Sequence, residues 1–317
     1  MKIALLSHVE LEAGYPEKFA QAGFDIVFAT TPAQRAELDA NTAARVKAVL
    51  TIGVIGLSAA EIAALPALEM ICAQGVGYER IDLDAAKQRN ITVTNGPGTN
   101  NVSVADHTLA LMLAITRNIA WLDTRTRQGE WTRSRLVPPA MTGKKLGIIG
   151  LGNIGGLIAE RCVGGFSMQV GYFNRRPLEL SEHRDWRYFP DALSLAEWAD
   201  YLVVATPGGK ETLKLVDAAV LKALGPKGYL INISRGSNVD NQALIHSLQQ
   251  REIAGAALDV VDGEPQVPAE MIALTDNLIL TPHLAGRSPE SIANMMHLVL
   301  ENLQAYFNQQ PVLTPVA

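Results

Sequence analysis

The chain has 317 residues, a length that suggests two domains rather than one core. Apolar residues make up 48% of it, enough for buried parallel strands, while 6% aromatics and a formal charge of −5 exclude a base-stacking surface and a global basic footprint for nucleic acid. No run of about 18 uninterrupted apolar residues marks a membrane span, so any anion site must be local.

From the N-terminus, KIALLS, DIVFAT, VKAVLTIG and LEMICAQ read as strands, each near-continuously apolar, as strands covered on both faces should be. The opening run breaks at Ser7 and His8 without a small-residue cleavage site, so no leader is expected. PEKFAQAG and SAAEIAAL read as helices, the second opened by Ser58 with Glu61 three residues on, a capping box. This first α/β unit extends to about residue 97. After the NGPG breaker, NNVSVADHTLALMLAITRNIAWLDTRTRQGEW reads as one long amphipathic helix over 100–127. KKLGIIG then starts a second series, with strands MQVGYF, YLVVAT, GYLINIS, AGAALDV and NLILTP. SPESIANMMHLVLENLQAYFNQ closes the chain as a long helix with a Ser288 cap and Pro289 in its first turn. Cys72 and Cys162 show neither ligand spacing nor a staple framework and read as packing residues of a reduced, cytoplasmic protein.

KKLGIIGLGNIGGLIAERC places Gly150, Gly152 and Gly155 as G-x-G-x-x-G between a strand and a helix. Gly150 permits the tight turn, Gly152 lets backbone approach a pyrophosphate, and Gly155 lets helix pack on strand. Free N–H groups at the helix start, around Asn153 and Ile154, meet the negative charge. A ribose-binding acid is expected about 20 residues on, but the chain has Asn174 followed by Arg175 and Arg176. Asn174 removes the repulsion an acid would exert on a 2′-phosphate, and either arginine can make charge-assisted contacts to it. A solvated basic turn is the plainer alternative. The functional reading is NADPH in preference to NADH.

INISRGSNVD, ALDVVDGEP and TPHLAG lie at strand ends of the second series, where open parallel sheets collect ligands. They offer Arg235, Glu264 and His283. Singly, these could be a surface ion pair, a turn residue and a strand end. Together, a fixed cation, a carboxylate and an imidazole meet the needs of a ketone-to-alcohol hydride transfer.

Through GVGYERID, NGPGTNNVSVADH, GLGNIG, ATPGGKET, NISRGSNVD, ALDVVDGEP and TPHLAG in order, essentially the whole chain resembles the D-isomer-specific 2-hydroxyacid dehydrogenase family, nearest to its NADPH-using glyoxylate/hydroxypyruvate reductases. The resemblance implies an α/β fold of two Rossmann-like domains with parallel sheets, joined by two long crossing helices. Residues 1–97 and 288–317 would form the substrate domain and 98–287 the dinucleotide-binding domain. His283 would be the general acid/base, Glu264 its imidazole partner, and Arg235 the clamp on a small 2-keto acid. Val76 and Gly77 would donate backbone N–H groups to the substrate carboxylate. Thr206, Ile233, Asp259, Ala285 and Gly286 would lie against the cofactor, with Asp259 at the nicotinamide carboxamide.

Two residues depart from the commonest family pattern. Asp106 stands where glutamate is frequent, with a structural job expected near the start of the long helix. Arg287 stands where many members have a small or polar residue, and is either a second carboxylate contact or solvent-facing. Trp131 reads as domain packing, and His8, His107, His183, His246 and His297 are given no role. No metal is expected, since the ligands do not cluster and Arg235 can polarise the carbonyl. Ile52, Val54 and Ile55 suggest an apolar wall that admits side chains larger than glyoxylate's hydrogen. The apolar surface of the long helix suggests a homodimer. The alternatives are an NAD-dependent serine-pathway type dehydrogenase, disfavoured by a chain that stops soon after its last helix, and a non-catalytic NAD(P)-sensing protein, disfavoured by the intact catalytic set. A formate dehydrogenase would carry glutamine at Glu264.

Overall fold

The computed structural model describes residues 2–179 and 185–316; His183 lies outside them. The chain divides into two units, one built from the residues up to Asn100 together with those from Ser288 onward, the other spanning Asn101–Arg287.

In the first unit, β1 (Ile3–Ser7), β2 (Phe24–Phe28), β3 (Val46–Thr51), β4 (Met70–Ala73) and β5 (Thr92–Thr94) form one parallel sheet in the order β2-β1-β3-β4-β5. β5 escaped the sequence reading because three residues between Asn90 and Asn95 are too few to show a period. The Ala59–Ala64 helix carries the expected capping box, Ser58 accepting from the Glu61 N–H while the Glu61 carboxylate accepts from Ser58. The Pro289–Phe307 helix, capped by Ser288, buries Met295, Met296, Val299 and Leu303 with Leu5, Leu50 and Met70 of the sheet. Its apolar positions recur at three- and four-residue steps, so one stripe faces the strands.

The second unit holds β6 (Lys145–Ile149), β7 (Gln169–Phe173), β8 (Arg187–Tyr188), β9 (Tyr201–Val204), β10 (Tyr229–Asn232), β11 (Gly255–Leu258) and β12 (Leu278–Leu280). All pair in parallel in the order β12-β11-β10-β9-β6-β7-β8. The chain runs outward one way from β6 to β8 and then outward the other way from β9 to β12. The sheet therefore reverses between β6 and β9, and the carboxyl ends of those two strands frame the crevice where such sheets bind ligands.

The helix expected over 100–127 is two helices, Asn101–Thr116 and Ile119–Arg127. Asn118 between them is left-handed at φ 54°, a conformation that asparagine tolerates and a continuous helix does not. The two helices also differ in burial. The first helix buries Val104, Ala105, Thr108, Leu111, Met112 and Ile115, whereas the second buries no residue. Substituting alanine for Leu111 or Ile115, exposed by only 3% and 5%, would cost about 2–5 kcal/mol.

Asp106 lies within the first helix rather than at its start, and pairs with Arg161 of the Asn153–Phe166 helix at 3.1 Å. Trp131 is 73% exposed, so it is not packed within its unit. Cys72 and Cys162 are buried, and burial pushes both thiols up to about 12. Among the described residues, no helix is long and apolar enough to cross a membrane.

Candidate active site

The glycine turn follows β6 at the point where the sheet reverses. Gly150 has φ +97°, and a Cβ there would stand 2.7 Å from the Thr206 backbone nitrogen, just past β9. Only glycine lets these two strand ends approach so closely. At Gly152 a Cβ would meet nothing within 4 Å, so this face of the turn is open. Gly152 is also the N-cap of the Asn153–Phe166 helix and supplies no side-chain cap. The first N–H groups of that helix, at Asn153, Ile154 and Gly155, have no intrahelical acceptor and are available to an anion. An open backbone face beside uncapped donors fits a pyrophosphate.

Asn174, just past β7, turns its amide onto this loop. Its Oδ1 accepts from the Leu151 N–H at 2.7 Å, and its Nδ2 donates to the Leu151 carbonyl at 3.3 Å. An aspartate could make the first contact but would set an oxygen against the carbonyl in the second. Asn174 thus braces the turn, a role invisible in the sequence pattern. Arg175 pairs with Glu211 at 3.2 Å, the two side chains 88% and 76% exposed. Arg176 is exposed.

Glu264 and His283 meet on the segments that follow β11 and β12. Nδ1 of His283 and Oε1 of Glu264 are 2.6 Å apart, and Oε2 accepts from the Val261 N–H at 3.3 Å. Burial pushes the Glu264 carboxyl up, but the His283 hydrogen bond and charge, the Val261 N–H and the Arg235 guanidinium outweigh it and hold the group below its ordinary range. The group is a carboxylate, so Nδ1 is the donor and Nε2 is left for proton exchange. His283 itself is left-handed, at φ 51°.

Arg235 follows β10, where buried Asn232 ties the turn by accepting from Ser234 and donating to the Arg235 carbonyl at 2.9 Å. A Cβ on Gly236 would stand 2.1 Å from the Val261 carbonyl carbon, so the Arg235 turn lies directly on the segment leading to Glu264. The sequence is thereby folded so that three separate strand ends bring Arg235, Glu264 and His283 to one edge of one sheet.

Asp259, 2% exposed, organises the stretch around His283. Its Oδ1 accepts from the Thr281 hydroxyl at 2.6 Å and the Leu284 N–H at 3.0 Å, and its Oδ2 from the Ala285 N–H at 2.8 Å. His107, given no role in the sequence reading, stands with Nε2 3.1 Å from the Thr281 hydroxyl and 3.6 Å from Asp259 Oδ1. A lone histidine in a helical pattern carries no signal of such a contact across the fold.

Thr206 accepts at its carbonyl from Asn238 at 3.0 Å, and Ile233 and Ala285 are nearly buried beside the strand ends. Gly286 follows on the same stretch and is half-buried, whereas Arg287 is exposed. Val76 and Gly77 belong to the first unit, where the Val76 carbonyl accepts from Asn95 at 2.8 Å. No group of three or more His, Cys, Asp or Glu that could hold a metal occurs among the described residues.

Comparison with known proteins bears on this edge of the sheet. The family model for the NAD binding domain of D-isomer specific 2-hydroxyacid dehydrogenases matches residues 109–285. A 2-ketogluconate reductase of Gluconobacter oxydans is 41% identical over 279 residues, covering 87% of this chain and 88% of that protein. A glyoxylate/hydroxypyruvate reductase of Arabidopsis thaliana is 37% identical over 306 residues, 96% of each chain. An NADPH-dependent glyoxylate/hydroxypyruvate reductase from Sinorhizobium meliloti, solved with NADP and malonate, superposes with a TM-score of 0.90 at 36% identity, over 100% of this chain and 97% of that one. With a matching nucleotide-binding unit and relatives alike over nearly their full length, the chain belongs to the D-isomer-specific 2-hydroxyacid dehydrogenase family.

Proposed function

We propose that the chain is an NADPH-dependent reductase that converts a small 2-keto acid, such as glyoxylate, hydroxypyruvate or a larger homologue, into the D-2-hydroxy acid. The observation that carries the reading is the 2.6 Å pair of Glu264 and His283 at the sheet edge that also bears Arg235. The turn of Gly150, Gly152 and Gly155 and the uncapped helix start hold the pyrophosphate of the nucleotide. Arg175 and Arg176 receive its 2′-phosphate, and Asn174 places no negative charge against it. Thr206, Ile233, Asp259, Ala285 and Gly286 line the remainder of the nucleotide's path. The S. meliloti relative, which is solved with NADP, supports this assignment.

When bound, the reduced nicotinamide supplies a hydride to the carbonyl carbon. Arg235 binds the keto acid by its carboxylate and carbonyl oxygen, polarising the carbonyl and fixing which carbon face is presented. His283 delivers the Nε2 proton to the carbonyl oxygen as that oxygen gains charge. Glu264 stays ionised throughout, holding the imidazole by Nδ1 and favouring its protonated form before transfer. In the reverse direction His283 takes the hydroxyl proton back. Val76 and Gly77 are proposed as N–H donors to the carboxylate, and Arg287, at the exposed end of its unit, as a lesser contact. The enzyme is proposed to be a cytoplasmic homodimer.

A kinetic panel of 2-keto acids with NADPH and with NADH tests this reading. Turnover with NADPH on at least one small 2-keto acid is expected, with a lower kcat/KM for NADH. Protein that binds NADPH but oxidises none of it with any acid in the panel would overturn it.

A further inference from the structure

His107 stands outside the reaction as derived, yet its helix grips the His283 turn at two points. Ser103 and His107 lie one helical turn apart on the Asn101–Thr116 helix and so share a face. The Ser103 hydroxyl donates to the Ala285 carbonyl at 2.8 Å, and His107 meets Thr281 at 3.1 Å. Between these anchors sits His283, in a left-handed conformation that residues other than glycine rarely adopt. Its N–H is held by the Asp259 carbonyl at 2.8 Å.

Counting protons gives the direction of the contacts. The Thr281 hydroxyl has one proton, and the 2.6 Å approach to Asp259 Oδ1 commits it there. The oxygen of Thr281 is therefore the acceptor in the 3.1 Å contact, and His107 donates from Nε2. With the Thr281 hydroxyl so fixed, Asp259 Oδ1 and Oδ2 are oriented to take the Leu284 and Ala285 N–H groups, the two that directly follow His283. Without His107, the half-buried Thr281 hydroxyl loses its donor and the buried Asp259 carboxylate loses the nearby imidazole N–H. Of the two hydrogen bonds by which this helix grips the 281–285 segment, that of Ser103 alone then remains.

We propose that His107 is a positioning residue for His283: acting through Thr281 and buried Asp259, and together with Ser103, it holds the 281–285 segment in the turn that seats the imidazole on Glu264. The inference rests on His283 being the general acid/base of the proposed reaction. The half-buried polar side chains of Ser103 and His107 would then serve proton transfer rather than packing alone.

The test compares His107→Leu, His107→Gln, Thr281→Val and Thr281→Ser with the parent enzyme. His107→Leu should lower kcat about tenfold, the loss of one part-buried hydrogen bond to a charged network, with KM for the keto acid changed less than twofold. Glutamine, whose amide can reach the Nε2 position, should restore most of the rate. Thr281→Val should reproduce the loss and Thr281→Ser should not. The double variant H107L/T281V should be no slower than the worse single variant, because both cut one link. A His107→Leu rate within twofold of the parent, or a loss that glutamine does not repair, overturns the proposal. Imidazole 15N spectra of the same proteins read the Glu264–His283 contact without turnover. If the parent reduced no keto acid, the proposed function would fail, while a His283 signal displaced in His107→Leu and restored in His107→Gln would still support the clamp. An unmoved signal would overturn it.

Discussion

Replacing Glu264 by glutamine keeps the side chain's shape and removes its charge, and the structure gives the size of the effect. Oε1 accepts from the His283 Nδ1–H at 2.6 Å. Such a charge-assisted hydrogen bond is worth about 1.5–3 kcal/mol. His283 keeps 37% exposure and Glu264 28%, so solvent screening argues for the lower end, about 1.5 kcal/mol. Each step of about 1.4 kcal/mol is a factor of ten, so removing the charge should lower kcat/KM for reduction about tenfold.

The proposed reduction uses protonated His283 as its acid, so kcat/KM is expected to fall on the alkaline side as that proton is lost. In Glu264→Gln this alkaline limb should move toward lower pH, since the imidazolium loses its counter-charge. In the oxidative direction, which needs neutral imidazole, the acid limb should move toward lower pH as well. Initial rates of NADPH consumption across pH with one fixed keto acid, repeated in reverse with the D-2-hydroxy acid and NADP+, measure both limbs. An alkaline limb that stays in place or moves up, in a variant that still turns over, would refute the role assigned to Glu264. Stability supplies a second reading of the same pair. The carboxyl is held below its ordinary value of 4.5 in the folded chain, so the pairing stabilises above that value and is lost as pH falls through the lower folded one. Glu264→Gln should therefore unfold more easily than the parent at neutral pH, and the difference should vanish in acid.

His283→Ala should depress turnover by orders of magnitude while titrating NADPH with nearly the parent's affinity; loss of NADPH binding instead would place His283 in the nucleotide site. Neutralising Arg175 and Arg176 together should weaken NADPH by about tenfold and leave NADH unchanged, the modest size reflecting contacts made in solvent by a side chain that is 88% exposed. Equal weakening of both nucleotides would remove the 2′-phosphate role. Ile119, Trp131, Leu136 and Val137 are 53%, 73%, 49% and 99% exposed, an apolar stretch suited to a second copy of the chain. Light scattering should accordingly give about twice the 34.1 kDa of one chain, and a monomer mass would contradict the homodimer.

What the sequence made legible follows from the range over which each signal acts. Parallel strands buried on both faces announce themselves as apolar runs, and a capping box such as Ser58 with Glu61 is complete within four residues. The glycine turn reads clearly because tight backbone approach admits one residue type. Arg235, Glu264 and His283 were legible as a candidate set because each stands just beyond its own strand, where parallel topology collects side chains. Short elements such as β5 and β8 carry too few residues for a period to show. The break at Asn118 was hidden because apolar residues continue on both sides of it, while its left-handed backbone and the change in burial appear only in the fold. His107 was illegible for another reason. Its partners Thr281 and Asp259 are distant in sequence, and no local pattern encodes a contact that exists only once helix and sheet edge have packed.

Asn174 shows how one residue can satisfy two constraints that look like one. Read as a departure from a ribose-binding acid, it says only that negative charge is absent beside Arg175 and Arg176. In the fold its amide offers a donor and an acceptor to the same backbone residue, Leu151, at 3.3 and 2.7 Å. A carboxylate can supply the acceptor alone. Restoring the acid by Asn174→Asp would therefore add repulsion toward a 2′-phosphate and also loosen the loop that holds the pyrophosphate of either nucleotide. On the proposed assignment, cofactor preference is coupled to the stability of the turn, and a change at Asn174 alone should not exchange one nucleotide for the other cleanly. The arginines, which face solvent and brace nothing in the turn, are where the two effects separate.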